Sequence, residues 1–173
     1  MMEIFEYTVL PENADLLKQK IENFDFSNPP IDPEYLSKKL FYAMEKENAV
    51  GLSSNQIGLP YRAFVMSING IDRVCFNPEI ITTSNEKIKD IEGCISFPDL
   101  WLSINRPINI LARYQDKNGI FVNETFENFV GRVYCHETDH LNGIRFIDLV
   151  GPVTLSTARS KRMKKLKRKY NDR

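Results

Sequence analysis

The sequence contains no run approaching the ~18 to 20 apolar residues of a membrane span. It has no internal repeat, and no low-complexity tract before its last fifteen residues. Cysteine is scarce. Cys75, Cys94 and Cys135 are the only three, and their wide, irregular spacing does not read as a disulfide framework. The opening residues, Met1-Met2-Glu3-Ile4-Phe5-Glu6, lack the basic and apolar regions of a secretory signal. Net charge is also missing, with 23 Lys/Arg against 23 Asp/Glu. These absences argue against collagenous, disordered, secreted disulfide-rich and membrane classes, and they predict a cytoplasmic chain. What is present is an ordinary globular mix, 42% hydrophobic and 27% charged, over 173 residues. We therefore expect one domain over 1–173, long enough to bury a real core.

The zero net charge conceals a segregation. Residues 159–173 hold nine Lys/Arg and a single acid, Asp172, a net +8, so the rest of the chain carries −8. An acidic body with a basic tail points to a partner rather than to the fold. The tail reads either as a solvated helix or as a contact for nucleic acid phosphates.

Asp32-Pro33 is an N-cap followed by proline at the first helical position, and Leu36, Leu40, Phe41 and Met44 recur at helical spacing, which predicts a helix over 33–47. Strand-like runs at 62–68 and 71–76 flank Asn69-Gly70, a strong hairpin signal. Further strands are expected at 80–83, 88–92, 108–114 and 120–126. A helix over 127–141 stops at Asn142-Gly143, and a basic helix covers 155–169. Hairpins with helices at the ends and late in the chain make an α+β fold rather than a parallel βαβ array. Small antiparallel or mixed sheets would pack around the 127–141 helix.

The sharpest chemical signal is His136-Glu137-Thr138-Asp139-His140, which holds both histidines of the chain. Residues four apart on a helix lie about 40° apart around the axis, so both imidazoles face one way, as two ligands of one metal require. Glu137 sits where it can take a proton from bound water. A catalytic site takes three protein ligands and leaves one position open. After His140 there is no further His or Glu, so the third ligand is expected upstream, as a cysteine or a carboxylate. Cys135 points about 100° away from His136 on the helix, and Cys75 lies in the apolar Val74-Cys75-Phe76; both read as core. Cys94, in Glu92-Gly93-Cys94-Ile95-Ser96-Phe97-Pro98, follows a glycine that permits a close backbone approach, and is the better candidate. A third stretch, Gly51-Leu52-Ser53-Ser54-Asn55-Gln56-Ile57-Gly58, reads either as a turn-rich loop or as a segment that holds Gln56 toward a developing oxyanion.

In order along the chain, Gly51 to Gln56, Glu92 to Pro98 and His136 to Gly143 resemble the three motifs of peptide deformylase, and the resemblance spans about residues 35–150. It implies a metal held by Cys94, His136 and His140, in this family usually Fe(II), with Zn, Ni or Co able to occupy the same site. It further implies that metal-bound water attacks the formyl carbon of N-terminal formylmethionine on nascent polypeptides, with Glu137 as general base and then acid. The oxyanion would be stabilised by the metal, the Gln56 amide and the Ile95 backbone N–H. Substrate-binding positions are implied at Gly51, Val50 and Glu92. Helical spacing adds Phe129 and Val133 on the face of His136, with ordinary core packing as their other reading. Arg132 stands where the family has an apolar residue, and its stem is expected to pack while its charge stays wet. Ser53-Ser54-Asn55, Ala49, Cys135 and Trp101 also depart from the family's usual residues. By the same resemblance the basic tail 159–169 is expected to meet ribosomal RNA. Two other readings of the residues are a zincin-type endopeptidase, which would want a downstream ligand, and an RNA-binding module with a structural metal.

Overall fold

The structure, a computed structural model, describes residues 4–171. Met1, Met2 and Glu3 of the acidic N-terminus, and Asp172 and Arg173 of the basic tail, lie outside the described residues. The fold is α+β. A five-stranded antiparallel sheet has the order β1 (Gly51–Ser53), β2 (Ala63–Ile68), β3 (Ile71–Thr83), β6 (Asn109–Gln115) and β7 (Phe121–Glu127). A separate hairpin pairs β4 (Lys87–Gly93) with β5 (Trp101–Pro107). Among the described residues there are three α-helices, α1 (Pro33–Lys46), α2 (Asn128–Leu141) and α3 (Pro152–Asn171), and three single 3-10 turns.

Alternation along β2 distributes the core to two sides of the sheet. Phe64 and Met66 pack with Tyr134, Cys135 and Leu141 of α2. Ala63 and Val65 pack with Leu36, Leu40 and Met44 of α1. A third cluster joins Leu102 and Ile104 of β5 to Phe97, Phe146 and Ile147, with Leu155 and Ala158 of α3 laid against it. Helix α2 thus runs between the large sheet and the small hairpin. Every residue from Gly131 to Thr138 is buried, and so are His140 and Leu141. A helix this deep must set most of its polar side chains against internal partners.

Local chemistry sets the boundaries. The Asp32 carboxylate accepts from the Glu34 N–H and Pro33 takes the first helical position of α1. Asn69 and Gly70 both have positive φ, 55° and 74°, the backbone of a type I′ turn, and Ile68 pairs with Ile71 across it. Helix α2 ends at Asn142, where Gly143 has φ 73° and a Cβ would lie 2.8 Å from the Lys18 carbonyl oxygen.

The fold departs from the sequence reading in three places. The strands expected at 71–76 and 80–83 are one bent strand, β3, whose register against β6 shifts between Phe76 and Glu79 and again between Ile80 and Thr82. Asn77, at φ 49°, and Pro78 produce the first irregularity, and the Asn77 side chain bonds both the N–H and the carbonyl of Phe24. Strand β5 was not expected, because the third inward position after Leu102 and Ile104 is the charged Arg106. Strand β1, read as loop, is only three residues and contains Gly51 and Ser53, poor strand formers on their own.

Arg62, 6% exposed, ties α2 to the sheet and to the N-terminal segment. It donates to the carbonyls of Ile21, Leu141 and Pro78 and to Asn142 Oδ1. Arg62→Met removes all four bonds, leaves the Leu141 carbonyl with the Ile21 N–H as its remaining partner, and is expected to lower stability by about 3 kcal/mol, read from urea unfolding at fixed metal concentration.

Candidate metal centre

Cys94 is the first residue beyond β4, in a turn closed by the Phe97 N–H to the Cys94 carbonyl (2.9 Å). His136 and His140 lie one turn apart on α2, their rings edge-to-face with centroids 4.9 Å apart. The fold brings the sulfur to the imidazoles. One donor atom from each of Cys94, His136 and His140 lies within 4.8 Å of the others, and Cys94 Sγ is 3.2 Å from His140 Nε2. One sulfur and two nitrogens on buried or half-buried side chains suit a borderline divalent transition metal, and three protein donors leave a position open. The residues present therefore fit a metal.

Glu92 orients the first ring. Its Oε2 lies 3.0 Å from His136 Nδ1, which leaves Nε2 as the free donor. Arg106 grips both carboxylate oxygens, Nε to Oε1 at 2.9 Å and Nη2 to Oε2 at 3.0 Å, and its Nη1 reaches Asp139. Arg132 Nη1 adds a bond to Oε1 at 2.8 Å. Burial would raise the Glu92 carboxyl, but bonds from His136 and Arg106 outweigh it and hold the group down at about 2. Burial also raises the Asp139 carboxyl, opposed by Arg106. Burial and the neighbouring His136 hold His140 well below the usual imidazole range. For His136 burial acts the same way, but Cys94 and Glu92 outweigh it and raise the ring. Ligation through Nε2 takes that ring in its neutral form, with the Nδ1–H donating a hydrogen bond to Glu92.

Glu92 lines the cleft, and both oxygens of its carboxylate bond Arg106, Arg132 and His136. One expectation is corrected here. The Arg132 charge is not in solvent. It is 3% exposed, held by Glu92 and by the carbonyls of Ile104 and Ile88, so it pins α2 to the β4–β5 hairpin. Cys75 and Cys135 are buried in the sheet core, as expected.

Gln56 and Glu137 face the same cleft, which has a volume of about 420 Å³. Gln56 Oε1 accepts from the Ser53 N–H (2.9 Å) and hydroxyl (3.0 Å). A backbone N–H cannot accept, so the amide is fixed with Nε2 toward Cys94 Sγ at 3.2 Å. Burial pushes the Glu137 carboxyl up to about 7, against the charge of His136 and hydrogen bonds from Ser53. Its Oε2 is buried with no hydrogen-bond partner among the described residues, which leaves an acceptor facing the chemistry. Gly51 is required by this carboxylate: a Cβ there would lie 2.8 Å from Glu137 Oε1 and 2.9 Å from Val133 Cγ1. Val133 is buried in the cleft wall, whereas Phe129 and Val50 are half exposed at its mouth. Ile95 also lines the cleft, next to Cys94.

The sequence reading missed four supporting residues. Arg106 and Asp139 brace Glu92, Ser53 sets Gln56, and Asn55 Nδ2 bonds the His140 carbonyl at 2.7 Å. Arg106 was hidden because its charge interrupts the inward pattern of Leu102 and Ile104, and the roles of Asp139, Ser53 and Asn55 show only in the fold. Glu92→Gln leaves two buried guanidinium groups short of a countercharge and frees His136. It is expected to destabilise the fold by about 3 kcal/mol and to weaken metal binding about 10- to 100-fold, measured by chelator competition.

The polypeptide deformylase family model matches residues 6–155. A peptide deformylase of Thermotoga petrophila is 36% identical over 126 residues, covering 73% of this chain and 77% of that protein. One from Fusobacterium nucleatum is 33% identical over 148 residues, 85% of each. Among solved structures, peptide deformylase from Thermotoga maritima superposes with a TM-score of 0.81 at 30% identity, covering 86% of this chain and all of that one. A match over this much of its length places the chain in the peptide deformylase family, as an enzyme of that kind.

Proposed function

We propose that this chain removes the N-formyl group from nascent polypeptides that begin with formylmethionine, releasing formate and a free N-terminus. The observation that carries the reading is the convergence of Cys94, His136 and His140 in one cleft beside Glu137 and Gln56. Cys94, His136 and His140 would hold one divalent cation, natively Fe(II), with Zn, Ni or Co as alternatives. That cation supplies Lewis acidity and makes water nucleophilic at neutral pH.

The chain's own residues do the rest. Glu137 takes a proton from the attacking water, and a carboxyl that titrates near neutrality suits this exchange. As the formyl oxygen gains charge, Gln56 Nε2 and the Ile95 N–H donate to it, and Ser53 keeps Gln56 from turning away. The carbon–nitrogen bond then breaks, and Glu137 returns the proton to the departing amine. Val133 and the stem of Arg132 wall the pocket for the first, unbranched apolar side chain, with Gly51 and Val50 beside it and Phe129 at its edge.

We further read 1–173 as one domain acting in the cytoplasm, with α3 as a contact for ribosomal RNA. No described helix is long and apolar enough to cross a membrane. Arg159 and Arg162 pair with Glu12, and Lys165 with Asp99, so α3 lies against the body. Lys161, Lys164, Lys167 and Arg168 are exposed along it. Deleting residues 159–173 is expected to abolish salt-sensitive co-sedimentation with ribosomes; undiminished binding would refute this contact.

Metal-replete protein is expected to release formate from formyl-Met-Ala-Ser, and a chelator to stop it. Glu137→Gln should keep its metal and lose about 10²- to 10⁴-fold in kcat. Cys94→Ser should retain less metal after dialysis. Hydrolysis of internal peptide bonds instead of formate release would contradict the reading.

A further inference from the structure

Arg132 is a charged side chain in the wall of the cleft. It is 3% exposed, stands on α2 about one helical turn before His136, and lines the cleft beside Val133 and Phe129. A guanidinium has five N–H donors. Three of them are engaged here: Nη1 donates to Glu92 Oε1 at 2.8 Å and to the Ile104 carbonyl at 3.0 Å, and Nη2 to the Ile88 carbonyl at 2.8 Å. The Nε–H and the second Nη2–H have no acceptor among the described residues. A buried donor left unpaired is costly, and on a residue that lines a cleft its partner can come from what enters.

The charge of this group is already balanced. Arg106 and Arg132 face Glu92 and Asp139, two guanidinium groups against two carboxylates. A neutral acceptor takes a spare N–H without disturbing that balance. A further carboxylate would be a third anion in a poorly solvated place, beside two cations that are already paired.

We infer that Arg132 lets the pocket accept a first side chain that ends in a neutral hydrogen-bond acceptor, and that the substrate class extends to formylated peptides whose first methionine is oxidised to the sulfoxide. The inference rests on the deformylase reading above, which sets the first side chain against Val133 and Arg132. With the formyl group at the candidate metal centre, an unbranched side chain that passes Val133 meets Arg132 one turn from His136. Oxidation turns the thioether of methionine into a polar group without lengthening the chain. A wholly apolar pocket disfavours a side chain with one added polar atom by about a hundredfold, because that atom loses water and gains no partner. A spare N–H of Arg132 supplies the partner.

The test measures formate release by the metal-replete full chain from formyl-Met-Ala-Ser and from two analogues, with methionine sulfoxide or glutamate as the first residue. The wild type is expected to use the sulfoxide peptide within about tenfold of the methionine peptide in kcat/KM, and the glutamate peptide at least about a hundredfold less well. Arg132→Lys keeps the countercharge of Glu92, but an ammonium has three donors, all of which the existing bonds require. In that variant the sulfoxide peptide should fall at least about tenfold further behind the methionine peptide, with metal content measured alongside. A variant that holds its metal and keeps the wild-type ratio would overturn the inference. So would a wild type that uses the sulfoxide more than about tenfold less well than methionine, or glutamate as well as the sulfoxide, and these two results decide even if the variant does not hold its metal. Absence of formate release from the methionine peptide would overturn the deformylase reading and this inference with it. Release from the methionine peptide with rejection of the sulfoxide would overturn the inference alone.

Discussion

The carboxylate of Glu92 joins the strand that leads to Cys94 to the helix that carries both histidines. It sits two residues before the cysteine, bonds His136 Nδ1, and is gripped by Arg106 from β5 and Arg132 from α2. Strand and helix are forty-four residues apart at this contact, which links the segment of the sulfur directly to one of the imidazoles. A buried carboxylate between two buried guanidinium groups is stable only when all the partners are present, because each alone would be an uncompensated charge in a poorly solvated place. The cluster therefore fixes the geometry of the donor set more than it adds to the stability of the fold.

Around that fixed frame each further group is held by something simple. Gly51 lets β1 pass against Glu137, and a single added carbon would collide with the carboxylate. Ser53, two residues on, orients the Gln56 amide by giving it an N–H that only an oxygen can receive. Asn55 bonds the carbonyl of His140 and so ties the end of α2 to the same short segment. Three alternate residues of one stretch thus serve the carboxylate, the amide and the second histidine, while the depth of α2 keeps bulk water away from them.

Much of this was legible in the sequence. The three motif stretches named all the donor atoms that the fold gathers, because their chemistry is local: imidazoles one helical turn apart, a cysteine after a glycine, an amide among small residues. Helix α1 and the β2–β3 hairpin announced themselves through Asp32-Pro33 and Asn69-Gly70, whose preferences are set by a few neighbouring atoms. The supporting shell was not legible, since it depends on contacts between distant parts of the chain. Arg106 broke the apolar alternation of β5 and hid the strand. Arg132 looked like a surface residue because its three acceptors, Glu92, Ile88 and Ile104, lie on a hairpin that only the tertiary fold lays beside α2. The same long-range placement makes Glu92 the brace of His136.

X-ray absorption on anaerobically purified protein tests the central claim most directly, because it reads the atoms bonded to the cation without reference to turnover. The account predicts one sulfur scatterer and two imidazole nitrogens bonded to the cation, with a light atom in the remaining position. A shell of oxygen and nitrogen alone, with no sulfur, would contradict it.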